Sequence, residues 1–416
     1  PTNPTDSVTF IFGQKIFRLR LNSVSRIDKQ TNRIYHIRKI RKYGRCTVRN
    51  YDVAAYFWPA FTGDDLRSRM FWREGMGEWQ TVKSAQPKFK GHTYPRKPLW
   101  GYVNEADPRI IEMEIDAAAS HGVNVFIFDW YWYDNRPFLE NCLNDGFLKA
   151  RNRNRMQFYI MWANHAANNV WNKELSNTEA CQTKIWEGIA DFAKFEAITT
   201  RLIEKYFMQD NYYKIDGKPV LSIYDLCEFI RGLGGIEQAK NAIDYLREKV
   251  VKAGLSGIHI QLLDRKDVNI NYSGVDSKQS LDYFKAMKEI GADSFTHYQF
   301  CHIMDINRDY TVLAKEAKEL WNKYNHVGIP YFPHVSVGWD NNSRSYDFIE
   351  GITKNNTPEN FQTALQYAKE YLDQRPNLPP LITINSWNEW TEGSYLEPDT
   401  LNGYGYLEAV KKVFLS

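Results

Sequence analysis

Cysteine is scarce in this chain, and what there is lies scattered: Cys46, Cys142, Cys181, Cys227 and Cys301. No Cys-x-x-Cys occurs among them, which removes the common zinc ribbons and dithiol redox motifs. Five is an odd number, thinly spread over 416 residues, so a disulfide framework is not expected either. No run of about 18 apolar residues is present, and no transmembrane helix is expected. The spaced glycines of a dinucleotide-binding loop are missing. The nearest piece, Gly232-Leu233-Gly234-Gly235, lacks the third glycine and reads as a turn. No Asp-x-Asp, the metal-holding motif of many nucleotide-sugar transferases, appears anywhere. No group of His, Cys and acidic residues shows metal-ligand spacing, so neither a metal nor a cofactor is expected.

Net charge is also small, at +3, but it is unevenly placed. Residues 1–50 hold twelve Lys/Arg against Asp6 and Asp28, which leaves the rest of the chain negative. The basic residues alternate with apolar ones, as in Phe17-Arg18-Leu19-Arg20-Leu21. That is the pattern of a strand with one wet face. No recognition motif accompanies the charge, so nucleic acid is not an expected partner.

What the chain has in plenty is aromatic surface: 13 Trp, 26 Tyr and 23 Phe, 15% of the residues. Bulky rings fill cores. They also stack on the flat C–H faces of sugars, so the excess favours a carbohydrate-binding protein.

Two or three short strands are expected at the start, Val8–Phe12, Lys15–Leu21 and Arg33–Ile40, forming a β extension over residues 1–50. From residue 51 the pattern changes. Eight short apolar runs follow: Val53–Phe57, Val123–Trp130, Met156–Trp162, Val220–Tyr224, Ile258–Leu263, Ser294–Tyr298, Tyr331–Val335 and Leu381–Ser386. Amphipathic stretches lie between them, at Pro108–Ser120, Thr199–Phe207, Gln238–Lys252, Ser280–Glu289, Tyr310–Tyr324 and Pro358–Asp373. A last helix is expected near Tyr406–Phe414. Eight strand–helix repeats imply an α/β fold, a (β/α)8 TIM barrel over residues 51–416. The near-continuous apolar runs suit parallel strands buried on both faces.

Such barrels carry their sites at the C-terminal strand ends. Those ends here are polar and aromatic, and they supply the candidate sugar contacts Tyr56, Asp129, Trp130, Tyr131, Trp162, Asn164, Tyr224, Tyr298, His334, Trp387 and Asn388. Tyr131, Trp162 and Trp387 are candidate stacking platforms, Asn388 a candidate orienter of its neighbour, and Arg344 a further sugar contact. Beyond the eighth run stands Asn388-Glu389-Trp390-Thr391-Glu392. If a helical turn begins there, Glu389 and Glu392 share a face with Cβ atoms about 5–6 Å apart. Retaining glycosidases place two carboxyls at a similar separation, about 5–5.5 Å. A solvated loop with two acids would show the same spacing.

This segment resembles the active-site motif of glycoside hydrolase family 99, a group of endo-acting α-mannosidases and mannanases. It is closer still to a bacterial WbsX-like family that carries a glycosyltransferase label. Ala55-Tyr56-Phe57-Trp58-Pro59, Glu78-Trp79, Gly91-His92, Pro95-Arg96, Phe128-Asp129-Trp130-Tyr131-Trp132, Asp216-Gly217-Lys218-Pro219, Glu392-Gly393 and Glu397-Pro398 extend the likeness over roughly residues 51–416. The resemblance implies a retaining hydrolase with Glu392 as general acid/base. Glu389 would take the proton of the sugar 2-hydroxyl, giving a 1,2-anhydro intermediate. Trp58-Pro59-Ala60 and the acidic Asp129 depart from the family pattern and leave the sugar open. A WbsX-type transferase and a non-catalytic sugar-binding barrel remain as alternatives. The expectation that goes with hydrolysis is a monomer acting on an oligo- or polysaccharide in the periplasm or at the surface of a bacterium.

Overall fold

In the computed structural model, Asp52–Phe57 opens a parallel sheet as β1. It is followed by β2 (Val125–Tyr133), β3 (Gln157–Trp162), β4 (Lys218–Ile223), β5 (His259–Leu263), β6 (Ser294–Thr296), β7 (His334–Ser336) and β8 (Leu381–Asn385). The structure describes residues 50–63, 65–171, 174, 184–265 and 282–415, and the backbone of 7–12, 15–20, 23–27 and 34–38. The strand order is β6-β5-β4-β3-β2-β1-β8-β7. β8 runs parallel to β1 with Leu381 opposite Asp52. Phe295 of β6 forms a parallel bridge to Tyr331, three residues before β7. The result is a nearly closed eight-stranded (β/α)8 barrel.

Helices α1 (Pro108–Ser120), α2 (Phe192–Leu202), α3 (Leu226–Leu233), α4 (Ile236–Lys252), α5 (Tyr283–Glu289), α6 (Tyr310–Lys323), α7 (Pro358–Asp373) and α8 (Gly405–Phe414) cover the strands. Aspartates cap many of them: Asp107, Asp191, Asp225, Asp282 and Asp309 accept from backbone N–H groups of the first turn. Each such cap contributes about 1 kcal/mol. α1 and α7 start where the sequence places them, because Asp107-Pro108 and Thr357-Pro358 pair a capping side chain with proline at the first helical position. The helix expected at Thr199–Phe207 instead starts at Phe192 behind Asp191, and its tail, Ile203–Phe207, widens into a π turn. α3 was not expected. It ends at Gly234, whose φ of +92° suits the glycine-rich turn that follows. Of the helix expected over Ser280–Glu289, Ser280 and Leu281 lie outside the described residues.

The barrel is plugged, not hollow. Tyr159 donates to Gln261 at 3.1 Å, Thr296 and Thr383 share a hydrogen at 2.9 Å, and His334 sits against Thr383 and Ser336 at 3.0 Å each. Strand side chains alternate between this interior and the helical layer. That alternation decides which strand-end residues reach the site.

The chain divides into two compact units, residues 1–49 and 50–416. In the first, Ser7–Phe12 pairs antiparallel with Lys15–Arg20, and Ser23–Ile27 with Ile34–Arg38. The Ser23–Ile27 strand is one the sequence pattern did not announce. Leu21, Arg33, Lys39 and Ile40, expected in strands, lie outside the described residues. Cys142 is a free thiol; Cys46 and Cys181 lie outside the described residues.

Candidate active site

Glu389 leaves β8 as the residue before a 3-10 turn, Trp390–Glu392. The turn closes on Gly393 at φ +62°, where a Cβ would press on Asp340 at 3.2 Å. One short turn therefore carries both glutamates, the geometry their spacing suggests. Arg344 gathers them. Its Nη1 donates to Glu392 Oε1 at 2.8 Å, its Nη2 stands 3.7 Å from Glu389 Oε2, and its Nε donates to Glu78 Oε1 at 3.0 Å. The second oxygen of Glu78 accepts from the Trp58 indole at 2.6 Å.

Tyr298, just past β6, closes the opposite side. Its hydroxyl lies 2.9 Å from Asp129 Oδ2 and 3.0 Å from Glu389 Oε1. A phenol has one hydrogen to donate. Two ionised carboxylates cannot both be satisfied by it, so the Asp129–Tyr298–Glu389 trio holds at least one carboxyl proton. Burial pushes Asp129 well above the usual carboxylate range. Burial also lifts Glu389 well above it, with Glu392 adding to the effect and Arg344 opposing it. Glu392 is raised as well, by burial, against the pull of the Arg344 ion pair. Both glutamates of the pair therefore lean toward protonation. Glu389 Oε2, Glu392 Oε2 and Asp129 Oδ1 have no hydrogen-bond partner, so each is left free to meet a ligand.

Of the sequence candidates, Asp129, Tyr131, Tyr224, Tyr298, Glu389 and Glu392 come together here. Tyr131 lies edge-on to Trp58 at 5.6 Å, and Tyr224 edge-on to Tyr298 at 5.3 Å. Tyr56 is the floor, fully buried with its ring 4.8 Å from that of Tyr298. Six other candidates sit elsewhere. Trp130 and Trp162 are register partners one residue out of phase with Asp129, so they face the helices. Trp130 donates to Glu140 at 2.7 Å, and Trp162 packs on Phe195 and Phe229. Trp387 also faces outward, donating to Glu114 at 3.2 Å. The Asn164 amide clamps the Asp225 backbone, donating to its C=O at 2.7 Å and accepting from its N–H at 2.8 Å. His334 belongs to the barrel plug, and burial drives its pKa well below the histidine norm.

Asn388 does not reach the cleft either. Its amide brackets the Trp58 backbone, accepting from N–H at 2.7 Å and donating to C=O at 2.8 Å, and donates again to Glu105 at 2.8 Å. Glu78 was not among the sequence candidates, although Glu78-Trp79 is one of the segments that resemble the family. Glu105, Glu114 and Glu397 form a second acidic group behind the turn, with one carboxylate oxygen from each within 4.8 Å of the others. A cavity of about 480 Å³ lined by Tyr324, Ile329, Tyr331, Tyr371 and Arg375 includes none of these site residues.

A family model described as Glycosyltransferase WbsX matches residues 53–410. The chain belongs to the WbsX family. Two curated relatives, uncharacterized proteins WxcX from two strains of Xanthomonas campestris pv. campestris, are 23% identical over 384 residues. The match takes in 86% of this WbsX-family chain and 49% of each relative, so the chain spans about half their length. Among solved structures, the GH99 endo-alpha-mannosidase from Bacteroides thetaiotaomicron aligns with a TM-score of 0.53 at 14% identity, over 86% of this chain and 95% of that one. A glycoside hydrolase-like protein aligns at 0.56 and 14%, over 88% and 95%. These likenesses give the WbsX-family chain a glycoside hydrolase-like barrel fold. Among the described residues, no helix is long and apolar enough to cross a membrane.

Proposed function

We propose that this WbsX-family chain is a retaining glycoside hydrolase that cuts inside a glycan, with Glu389 and Glu392 as its acid/base pair. The observation that carries the reading is the Arg344 guanidinium drawing both glutamates onto one turn at the C-terminal rim of the barrel. Glu389 removes the proton from a sugar 2-hydroxyl as that oxygen attacks C1. Glu392 gives its proton to the departing glycosidic oxygen, and a 1,2-anhydro sugar results. Water then opens the anhydro ring at C1, losing a proton to Glu392, while the 2-oxygen recovers its proton from Glu389. Charge and protons balance over the cycle.

The first step needs Glu392 protonated and Glu389 ionised; burial favours the former, and Tyr298, which links Glu389 to Asp129, offers a route to the latter. A proton held by Glu389 passes to Tyr298 as the Tyr298 proton passes to Asp129, which leaves Glu389 ionised beside Arg344. The substrate class rests on the fold likeness to an endo-alpha-mannosidase, and a mannoside-like glycan is the reading it favours. The family description favours a second reading, transfer from a nucleotide-sugar.

Product release from a panel of bacterial, fungal and plant polysaccharides decides between them, run alongside nucleotide-sugar turnover. The hydrolase reading expects oligosaccharides from wild type and losses of about 10²-fold or more in Glu389→Gln and Glu392→Gln. Turnover of a nucleotide-sugar without glycan cleavage sinks it.

A further inference from the structure

Behind the catalytic turn, this protein buries three glutamates with no cation to match them. Glu105 and Glu114 are completely inaccessible, and Glu397 is 3% exposed. They come from places far apart in the sequence, so no spacing motif announces them. Other buried glutamates of this protein receive an arginine: Glu140 has Arg201, while Glu78 and Glu392 share Arg344. Among the described residues, no Lys, Arg or His forms an ion pair with Glu105, Glu114 or Glu397. Holding three carboxylates in a dry interior without counter-charge is prohibitive.

A second observation concerns individual oxygens. Glu114 accepts from the Trp387 indole through Oε2, and Glu397 from the Trp390 indole through Oε2. Their other oxygens, Glu114 Oε1 and Glu397 Oε1, are buried and have no partner at all. Two orphaned acceptors in one small group call for a proton or a cation. The spacing fits a cation: one oxygen from each of the three glutamates falls within a 4.8 Å span. A buried group of this kind suits Ca²⁺ better than Mg²⁺, because Mg²⁺ dehydrates reluctantly and usually keeps several waters.

We propose that Glu105, Glu114 and Glu397 bind a divalent cation with oxygen ligands, Ca²⁺ in preference to Mg²⁺. It would be a structural ion. Through Glu114, Glu105 and Glu397 it would anchor Trp387, Asn388 and Trp390, the residues that alternate with the catalytic glutamates. The inference stands apart from the hydrolase reading, and its test does not depend on any glycan being cut.

The full chain is stripped with EDTA, dialysed, and melted in EDTA, in millimolar Ca²⁺ and in millimolar Mg²⁺. Bound metal is counted by elemental analysis. Tb³⁺ serves as a luminescent probe, excited through the Trp387 and Trp390 indoles. Glu114→Gln and Glu397→Gln are the matching variants. The expected result is one Ca²⁺ per chain, a rise in Tm of about 3 °C or more, a smaller rise with Mg²⁺, Tb³⁺ emission displaced by Ca²⁺, and loss of these responses in the variants. An equal Tm in EDTA and Ca²⁺ with no bound metal in wild type overturns the proposal and leaves three carboxyls sharing protons. Variants that keep the Ca²⁺ response also overturn it, by placing the ion elsewhere. Should the variants fail to fold, the wild-type measurements decide alone.

Discussion

Replacing Arg344 by glutamine tests the electrostatic logic of the site without any substrate. The guanidinium is 8% exposed and serves Glu78 at 3.0 Å, Glu392 at 2.8 Å and Glu389 at 3.7 Å. Its loss leaves those acids with no cation. Breaking a buried pair from one side costs about 3–5 kcal/mol, and that is the expected loss of stability at about pH 8. The loss must depend on pH. Burial already raises Glu389 and Glu392 in the folded protein, and without Arg344 they rise further. An acid with a raised folded pKa gives the fold its full stability below the unfolded value of about 4.3, and that stability is lost as pH rises through the folded value. The gap between variant and wild type is therefore small near about pH 5 and widens toward about pH 8, by about 1.4 kcal/mol for each further tenfold weakening of a carboxyl's acidity. Urea unfolding at both pH values, followed by tryptophan fluorescence, measures it. Arg344→Lys keeps the charge and should recover part of the loss. A penalty that is the same at both pH values, or below about 1 kcal/mol at the higher one, would refute the argument that Arg344 holds these carboxylates.

Tyr298→Phe removes the hydroxyl between Asp129 and Glu389. It should cost about 1–3 kcal/mol of stability, lower kcat on a cleaved glycan by about 10²-fold, and shift the limb of the pH profile that reports the base; an unchanged profile argues against a proton path through the phenol. Trp130→Phe removes the indole donor to Glu140 on the outer face. It should cost about 1–3 kcal/mol in urea unfolding and leave kcat/KM within about two-fold of wild type; a large kinetic effect would return Trp130 to the sugar site.

The barrel and the turn that carries both glutamates were legible because their signals are local. Eight apolar runs mark eight strands, and two glutamates three apart share a turn wherever a turn forms. The facing of Trp130, Trp162 and Trp387 was not legible, for a physical reason. Strands buried on both faces read as continuous apolar runs, so the alternation that tells inside from outside vanishes from the sequence. Asp129 and Trp130 are adjacent and both buried, yet only the first reaches the site. Arg344 and Glu78 were out of reach as a pair for a different reason. They sit on separate rim loops 266 residues apart, and their meeting is set by how those loops fold over the barrel. Glu105, Glu114 and Glu397 converge from a loop, a helix and the stretch beyond the turn, with no periodicity to join them.

The segment from Trp387 to Glu392 then reads as two interleaved jobs. Glu389 and Glu392 face Arg344 at the front. Trp387, Asn388 and Trp390 point the other way and end on Glu114, Glu105 and Glu397. A short turn has little stiffness of its own, and two buried acids that repel each other would drive it apart. Three separate hydrogen bonds to a buried acidic group, with the Asn388 amide fastened to Trp58 as well, remove that freedom. The asparagine and tryptophans of the motif therefore need not touch a sugar to be required. Their work is to hold two acids on one turn, within reach of a single guanidinium.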